Sequence, residues 1–236
     1  MTISYFITGF NHGQPDARLS DSQRQELAAA LGRIPGLACA EVGVPAEVQT
    51  YHGDAPVPLV ALRLDFATLP DLERELAEDG RLHRLAGSTF WASLPLDRVT
   101  QQAMLRRCFL PRGGNGHRAT GCDYLVHYPG QAEDFNAWLR YYLANHAPIM
   151  TTYPRVRAVD VFTRLDWCDA LPWQRVTFMQ RNRIGFDSPQ DLLAALESPV
   201  RHQMRQDHGR FPAYSEGSRH YPMRMTGVLG EQLTQR

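Results

Sequence analysis

Residues 185–198 read GFDSPQDLLAALES, and residues 65–78 read DFATLPDLERELAE. In each run a hydroxyl side chain, Thr68 or Ser188, stands just ahead of a proline that opens a helix, the pattern of a capped helix start. Leu72 and Leu76 in one run answer Leu192 and Leu196 in the other at the same offset. Solenoid repeats recur every roughly 20 to 50 residues, so a spacing this long indicates two copies of a domain.

Outward from these runs, both halves give the same order of elements. In the first, residues 3–10 read as a strand, and Ser20 or Ser22 caps a helix carrying Leu27, Leu31 and Ile34. Strands follow at 37–44 and 59–66, then a helix broken near Gly80, then a fourth strand at 90–99. The run PRGGNGHRATG at 111–121 is rich in glycine and polar residues and reads as a linker. Beyond it lie strands at 123–128, 156–163, 176–181 and 218–225, with Ser188-Pro189 opening a helix that Ser198-Pro199 restarts.

The helix after the first of these strands lies within DFNAWLRYYLANHAPIMTTYPRVR, residues 134–157. Phe135, Trp138, Leu139, Tyr142, Leu143 and His146 share one face of it, so a histidine stands where a leucine is expected. Pro148 has no N–H to donate and is expected to end the helix just beyond His146.

Each half therefore reads β, α, β, β, α, β. Two helices cover one face of a four-stranded antiparallel sheet, the ferredoxin-like arrangement, and the bare face needs a partner. The expected class is α+β: two tandem ferredoxin-like units, 1–111 and 122–236, joined by a linker at 112–121. Their sheets are expected to pack face to face within one chain as an α/β barrel.

Composition narrows the functional classes. With 236 residues, 43% of them hydrophobic, and 25 basic against 25 acidic side chains, the chain has material for a sizeable core and no charge excess to attract nucleic acid or anionic membrane. No apolar run approaches the roughly 18 residues that span a bilayer, and MTISYFITGF has no basic segment ahead of its apolar residues, so a cytoplasmic protein is expected. Cys39, Cys108, Cys122 and Cys168 form no CxxC pair and read as reduced thiols. HExxH, GxGxxG, Walker and GxSxG patterns are absent, which removes the usual support for zinc, nicotinamide, nucleotide and serine-hydrolase chemistry.

The second half, with YYLANHAPIMTTYPRVR and then FDSPQDLLAALESPVRHQMRQDHGRFPAYSEGSRHYPM, resembles the EthD family of the dimeric α/β-barrel superfamily. The resemblance covers about 123–228 and rests on His146-Ala147-Pro148 and the two Ser-Pro pairs. The first half shares only the element order and has Ile34-Pro35-Gly36 where His-Ala-Pro would stand. The superfamily includes isomerases, cyclases, lyases, monooxygenases without cofactor and haem proteins, so the fold alone does not choose among them.

The resemblance implies an apolar cleft between helices and sheet in which a few polar groups handle protons. His146 is the candidate acid/base and Tyr142 the donor to a developing oxyanion; the alternative for His146 is a core histidine satisfied by backbone. Asp160 and His127, on strands, complete the catalytic candidates. Asp160 either polarises a histidine or pairs with an arginine such as Arg157 or Arg181, and His127 faces either solvent or the contact between sheets. Trp138, Tyr128, Phe178, His220 and Tyr221 are candidates for the wall that binds substrate, whereas His202 and His208 read as surface or packing residues. Tyr5, His52, His83 and Trp91 are candidates for a second cleft.

The expected function is that of a cofactor-independent lyase or isomerase acting by acid/base chemistry on a hydrophobic, aromatic or conjugated small molecule. The other class is a non-catalytic protein that only binds such a compound, and a haem site is a third. No metal ligand is assigned, and the chain is expected to be a monomer or homodimer.

Overall fold

The structure is a computed structural model describing residues 2–48, 56–111 and 120–228. Most of the expected linker, and His52, lie outside the described residues. The first half contains β1 (Thr2–Phe10), α1 (Asp21–Leu31), β2 (Leu37–Pro45), β3 (Val60–Phe66), α2 (Leu69–Leu76), the short helices α3 (Arg81–Ala86) and α4 (Thr89–Ser93), and β4 (Arg98–Leu110). The second contains β5 (Thr120–Tyr128), α5 (Phe135–Tyr141), a π-helical turn (Tyr142–His146), α6 (Ala147–Met150) and β6 (Ala158–Arg164). It continues with the two-residue β7 (Gln174–Arg175), β8 (Gln180–Phe186), α7 (Pro189–Glu197), α8 (Pro199–His208) and β9 (Arg219–Val228).

Eight strands close into one antiparallel barrel in the order β1-β3-β2-β9-β5-β8-β6-β4, with β4 returning to β1 and β7 attached outside the ring. The α/β barrel is as expected, although its two sheets were expected to meet face to face. Instead β2 bonds to β9 and β4 to β6, so the edges of the two halves are hydrogen-bonded and no barrel strand is left with an open edge.

The helix starts form as their caps dictate. Thr68 Oγ1 accepts the Asp71 N–H at 3.2 Å and Ser188 Oγ accepts the Asp191 N–H at 3.1 Å, the same bond in both echoed runs. Each such cap stabilises its helix by about 1 kcal/mol. Behind them Leu72 and Leu76, and Leu192 and Leu196, are buried against the outer face of the barrel. Apolar side chains of that face make a separate core under the helices of each half.

Two strands lie later in the chain than expected. Ser88 Oγ accepts the Trp91 N–H at 3.1 Å and coils 89–93 into α4, so the fourth strand runs from Arg98 to Leu110. The strand expected at 176–181 is β8, Gln180–Phe186. Both carry polar residues into the protein, Gln102 and Arg106 on β4 and Arg181 and Arg183 on β8, which hides the hydrophobic alternation used to find strands.

Those residues enter a charged barrel interior. Arg63 on β3 lies 3.7 Å from Asp160 on β6, and Arg183 on β8 lies 3.7 Å from Glu41 on β2, pairs that belong to non-adjacent strands and so reach across the barrel. Arg106 Nε donates to Asp160 at 2.8 Å, and Arg183 Nε is 2.8 Å from Asp123. Asp160 is thus held by Arg106, Arg63 and Arg183, not by Arg157 or Arg181. Mutual attraction offsets the cost of taking these charges out of water.

The halves also exchange arms. The segment between β6 and β8 packs Trp173 at a tilt on Trp91, ring centroids 4.7 Å apart, and donates the Ala170 N–H to the Leu76 carbonyl at 3.0 Å. Ala46 and Val48, after β2, pack in return on the core of the second half. Trp91 and Tyr5, candidates for a second cleft, belong to the first half's core, Tyr5 donating its hydroxyl to Gln101.

Candidate functional site

Between the outer face of β5 and β8 and the helices of the second half lies a cavity of about 240 Å³. Strand alternation turns Tyr124, Val126 and Tyr128 of β5 toward it, and Asn182 and Ile184 of β8. His146 and Tyr142 come from the π-helical turn.

That turn answers the problem set by Pro148. The helix does not stop there: Ala147 N–H bonds to the Tyr142 carbonyl, and the chain runs on helically to Met150. The wider turn accommodates a proline ring that would clash with the preceding turn of an α-helix. Asn145 Nδ2 donates to the Tyr141 carbonyl at 2.9 Å, supplying a bond at the edge of the widened turn. Tyr142 and His146 are both buried, with ring centroids 4.8 Å apart.

His146 is paired with a carboxylate that the sequence reading did not single out. Its Nδ1 lies 2.8 Å from Asp207 Oδ2, and Tyr141 OH donates to the other oxygen, Oδ1, at 2.8 Å. Asp207 is buried in the last turn of α8, where the helix dipole disfavours a negative charge, so these two donors are what make it tolerable. With Nδ1–H donating to Asp207 Oδ2, the imidazole lone pair is left on Nε2. Burial pushes the imidazole down to about 4, with Asp207 opposing that shift. His146 is therefore a neutral base at pH 7, and Phe211 holds its ring edge-on at 4.6 Å.

Beside it, Asn182 Nδ2 donates to the Tyr142 hydroxyl, which stands 3.4 Å from the hydroxyl of Tyr128. Burial pushes Tyr142 well above the ordinary phenol value, so its proton stays on oxygen and can be donated. At the other side of the cavity His220 bridges Tyr124 OH at 3.0 Å and Ser218 Oγ at 3.1 Å.

Of the expected site residues, His146, Tyr142, Tyr128 and His220 meet at the cavity. Trp138 stands behind its wall, stacked on Tyr142 with centroids 5.8 Å apart. Asp160, His127 and Tyr221 are on the opposite face of the sheet, turned into the barrel by strand alternation. His127 accepts there from Arg181 Nη1 at 3.4 Å, and Phe178 lies over the same guanidinium at 4.8 Å, so neither reaches the cavity. Burial, then Arg181, push His127 well below the ordinary histidine value.

Missed by the sequence reading were Asp207, Asn182 and the cavity face of α8; His208, read as a surface or packing residue, is exposed and packs on Phe211 and Tyr214 beside the cavity. One signal was present: Arg201, Met204, Arg205 and His208 recur at helical spacing. Among the described residues no group of three or more His, Cys, Asp or Glu side chains could hold a metal ion, and no helix is long and apolar enough to cross a membrane.

No protein-family model matches the chain, and no curated protein matches it in sequence. Its fold is shared with solved structures at low identity. An anthrone oxidase-like protein superposes with a TM-score of 0.61 at 12% identity, over 100% of this chain and 95% of its own. A candidate monooxygenase from Fusobacterium nucleatum gives 0.55 at 7% identity, covering 96% and 92% of the two chains. Another, from Lactobacillus acidophilus, gives 0.52 at 8% identity and covers 98% of each. The fold is thus that of the dimeric α/β barrels, with the whole closed barrel supplied by one chain.

Proposed function

We propose that this protein is a small-molecule-processing enzyme of lyase or isomerase type that moves a proton on a hydrophobic, conjugated substrate without a cofactor. The observation that carries this reading is the buried His146–Asp207 pair opening onto a largely apolar cavity beside Tyr142. His146 Nε2 takes a proton from an activated carbon or hydroxyl of the substrate. Asp207 holds the imidazole in the required tautomer and stabilises the imidazolium that forms. Tyr142, oriented by Asn182, donates to the oxygen on which negative charge develops, and the imidazolium returns the proton at a second position or to a leaving group. Burial keeps His146 neutral and able to accept a proton at pH 7, and a base this weak needs a substrate proton that is itself acidified by conjugation.

A second reading shares the first step. The solved relatives described as anthrone oxidase-like and as monooxygenases favour it: the substrate anion passes electrons to molecular oxygen and is itself oxidised. Oxygen uptake separates the two.

The test is to recover the small molecule that co-purifies with the protein, identify it by mass spectrometry, and follow its hydrogens by NMR in deuterated water. Wild-type protein should exchange or shift one hydrogen, and His146→Gln should bind the compound without doing so. Binding by wild type with no chemical change would favour a carrier.

We infer further that 1–111 and 122–236 are tandem copies of an EthD-like unit. The shared Thr68/Ser188 caps and the paired leucines support this. Internal closure of the barrel removes the usual reason for such units to dimerise, so a monomer is the expected state, and light scattering measures it.

A further inference from the structure

Arg181 and Arg183 lie two residues apart on β8, so both side chains turn into the barrel, yet they meet different neighbours. The strand register sets Arg183 opposite Asp160, with Asp123 at 2.8 Å and Glu41 at 3.7 Å from its guanidinium. One step along the same face it sets Arg181 between His127 and Phe162. Among the described residues no aspartate or glutamate forms an ion pair with Arg181, which is only 1% exposed.

The partners of Arg181 are neutral. Nε donates to Gln102 Oε1 at 3.3 Å and Nη1 to His127 Nε2 at 3.4 Å, while the rings of Phe6 and Phe178 lie against the guanidinium at 5.0 and 4.8 Å. Nη2 is buried and has no hydrogen-bond partner among the described residues. Burial lowers this guanidinium to about 9, which still leaves it charged at pH 7. Ring faces and two neutral acceptors return only part of the hydration that a buried cation gives up.

Arg181 also lines a void of about 10 Å³ inside the barrel, together with Thr8, Leu125 and His127. Glu41 and Asp123 line it too, but Arg63 stands 2.8 Å from Glu41 and Arg183 2.8 Å from Asp123, so those charges are already met. Such a volume admits one water-sized occupant and excludes a carboxylate, a phosphate or a sulfate. A water would take the Nη2 hydrogen and leave the positive charge unanswered. A monatomic anion answers both, and the Thr8 hydroxyl can turn its hydrogen to the same occupant.

We propose that the barrel interior binds one halide ion of chloride's size, held by Arg181 beside Thr8. The site is on the opposite face of the sheet from His146, so it is independent of the chemistry assigned to the cavity under the helices.

Thermal unfolding in sodium chloride and in sodium gluconate at equal ionic strength tests this. An ion bound only by the folded barrel should raise the wild-type midpoint by about 2–4 °C once chloride exceeds its dissociation constant roughly fourfold. Arg181→Met keeps an apolar side chain in place and removes the charge, and it should lose that rise. Reading wild type against the variant cancels general salt effects, so an identical response of the two to chloride would overturn the proposal and leave water as the occupant. Should the variant fail to fold, wild-type crystals grown in bromide decide: an anomalous peak beside Arg181 Nη2 upholds the site, and the lack of one there overturns it.

Discussion

His146 Nδ1 and Asp207 Oδ2 are 2.8 Å apart although 61 positions separate them in the chain. The pair ties the π-helical turn to the last turn of α8, and it fixes which imidazole nitrogen faces chemistry. His146→Gln keeps reach and polarity but cannot titrate. Its turnover should fall by about 100-fold to 10,000-fold with ligand binding retained, read by calorimetry and single-turnover rates on the recovered compound.

Asp207→Asn is a subtler change. The amide can donate to Nδ1, which places the imidazole hydrogen on Nε2 and removes the base from the position where it is needed. A loss comparable to that of the base itself, about 100-fold to 10,000-fold, is expected. Folding should weaken by about 1–3 kcal/mol, because Tyr141 and His146 no longer share a charged acceptor. Urea denaturation measures the second effect independently of the first, and wild-type turnover in this variant would remove Asp207 from the mechanism.

The pH dependence of stability follows from His146 lying near 4 in the folded protein against about 6.5 unfolded. Between those values the unfolded chain binds more protons, so stability rises with pH through this window. It is complete above about 6.5 and is lost as pH falls toward 4. The contribution is on the order of 3 kcal/mol, with His127 acting in the same direction. Urea midpoints across this range should drop on acidification, and less steeply in His146→Gln. The rate should show no inflection near 6.5 from this group.

Arg183→Met tests the barrel interior. It takes a close cation from Asp123 and weakens the support of Asp160 and Glu41, which lie at 2.8, 3.3 and 3.7 Å from that guanidinium. Removing one partner of a buried ion pair costs about 3–5 kcal/mol, which a shift of the thermal or urea midpoint would register. The double change Arg183→Met/Asp123→Leu should recover part of it.

Local chemistry was legible from the chain. Thr68 and Ser188 cap their helices because the hydroxyl, the proline and the following leucines lie within one turn of each other, and the same nearness put Tyr142 and His146 on one buried helix face. Strands with an apolar outer face and ordinary turn signals, such as β1 and β3, were found close to their observed limits. The misplaced strands, β4 and β8, send arginine and glutamine inward, and a charged interior looks like surface when only the sequence is read. Pro148 was read by its rule for the α-helix, which a single π-helical turn evades. What the sequence by itself determined was the set of elements, their caps and the helix face bearing His146. Only the tertiary structure decided that the two halves join edge to edge, that Asp160 and His127 face the barrel while Tyr128 faces the cavity, and that Asp207 meets His146. Strand alternation leaves two faces open until the barrel closes, and a hydrogen bond between residues 61 positions apart has no local periodicity to announce it.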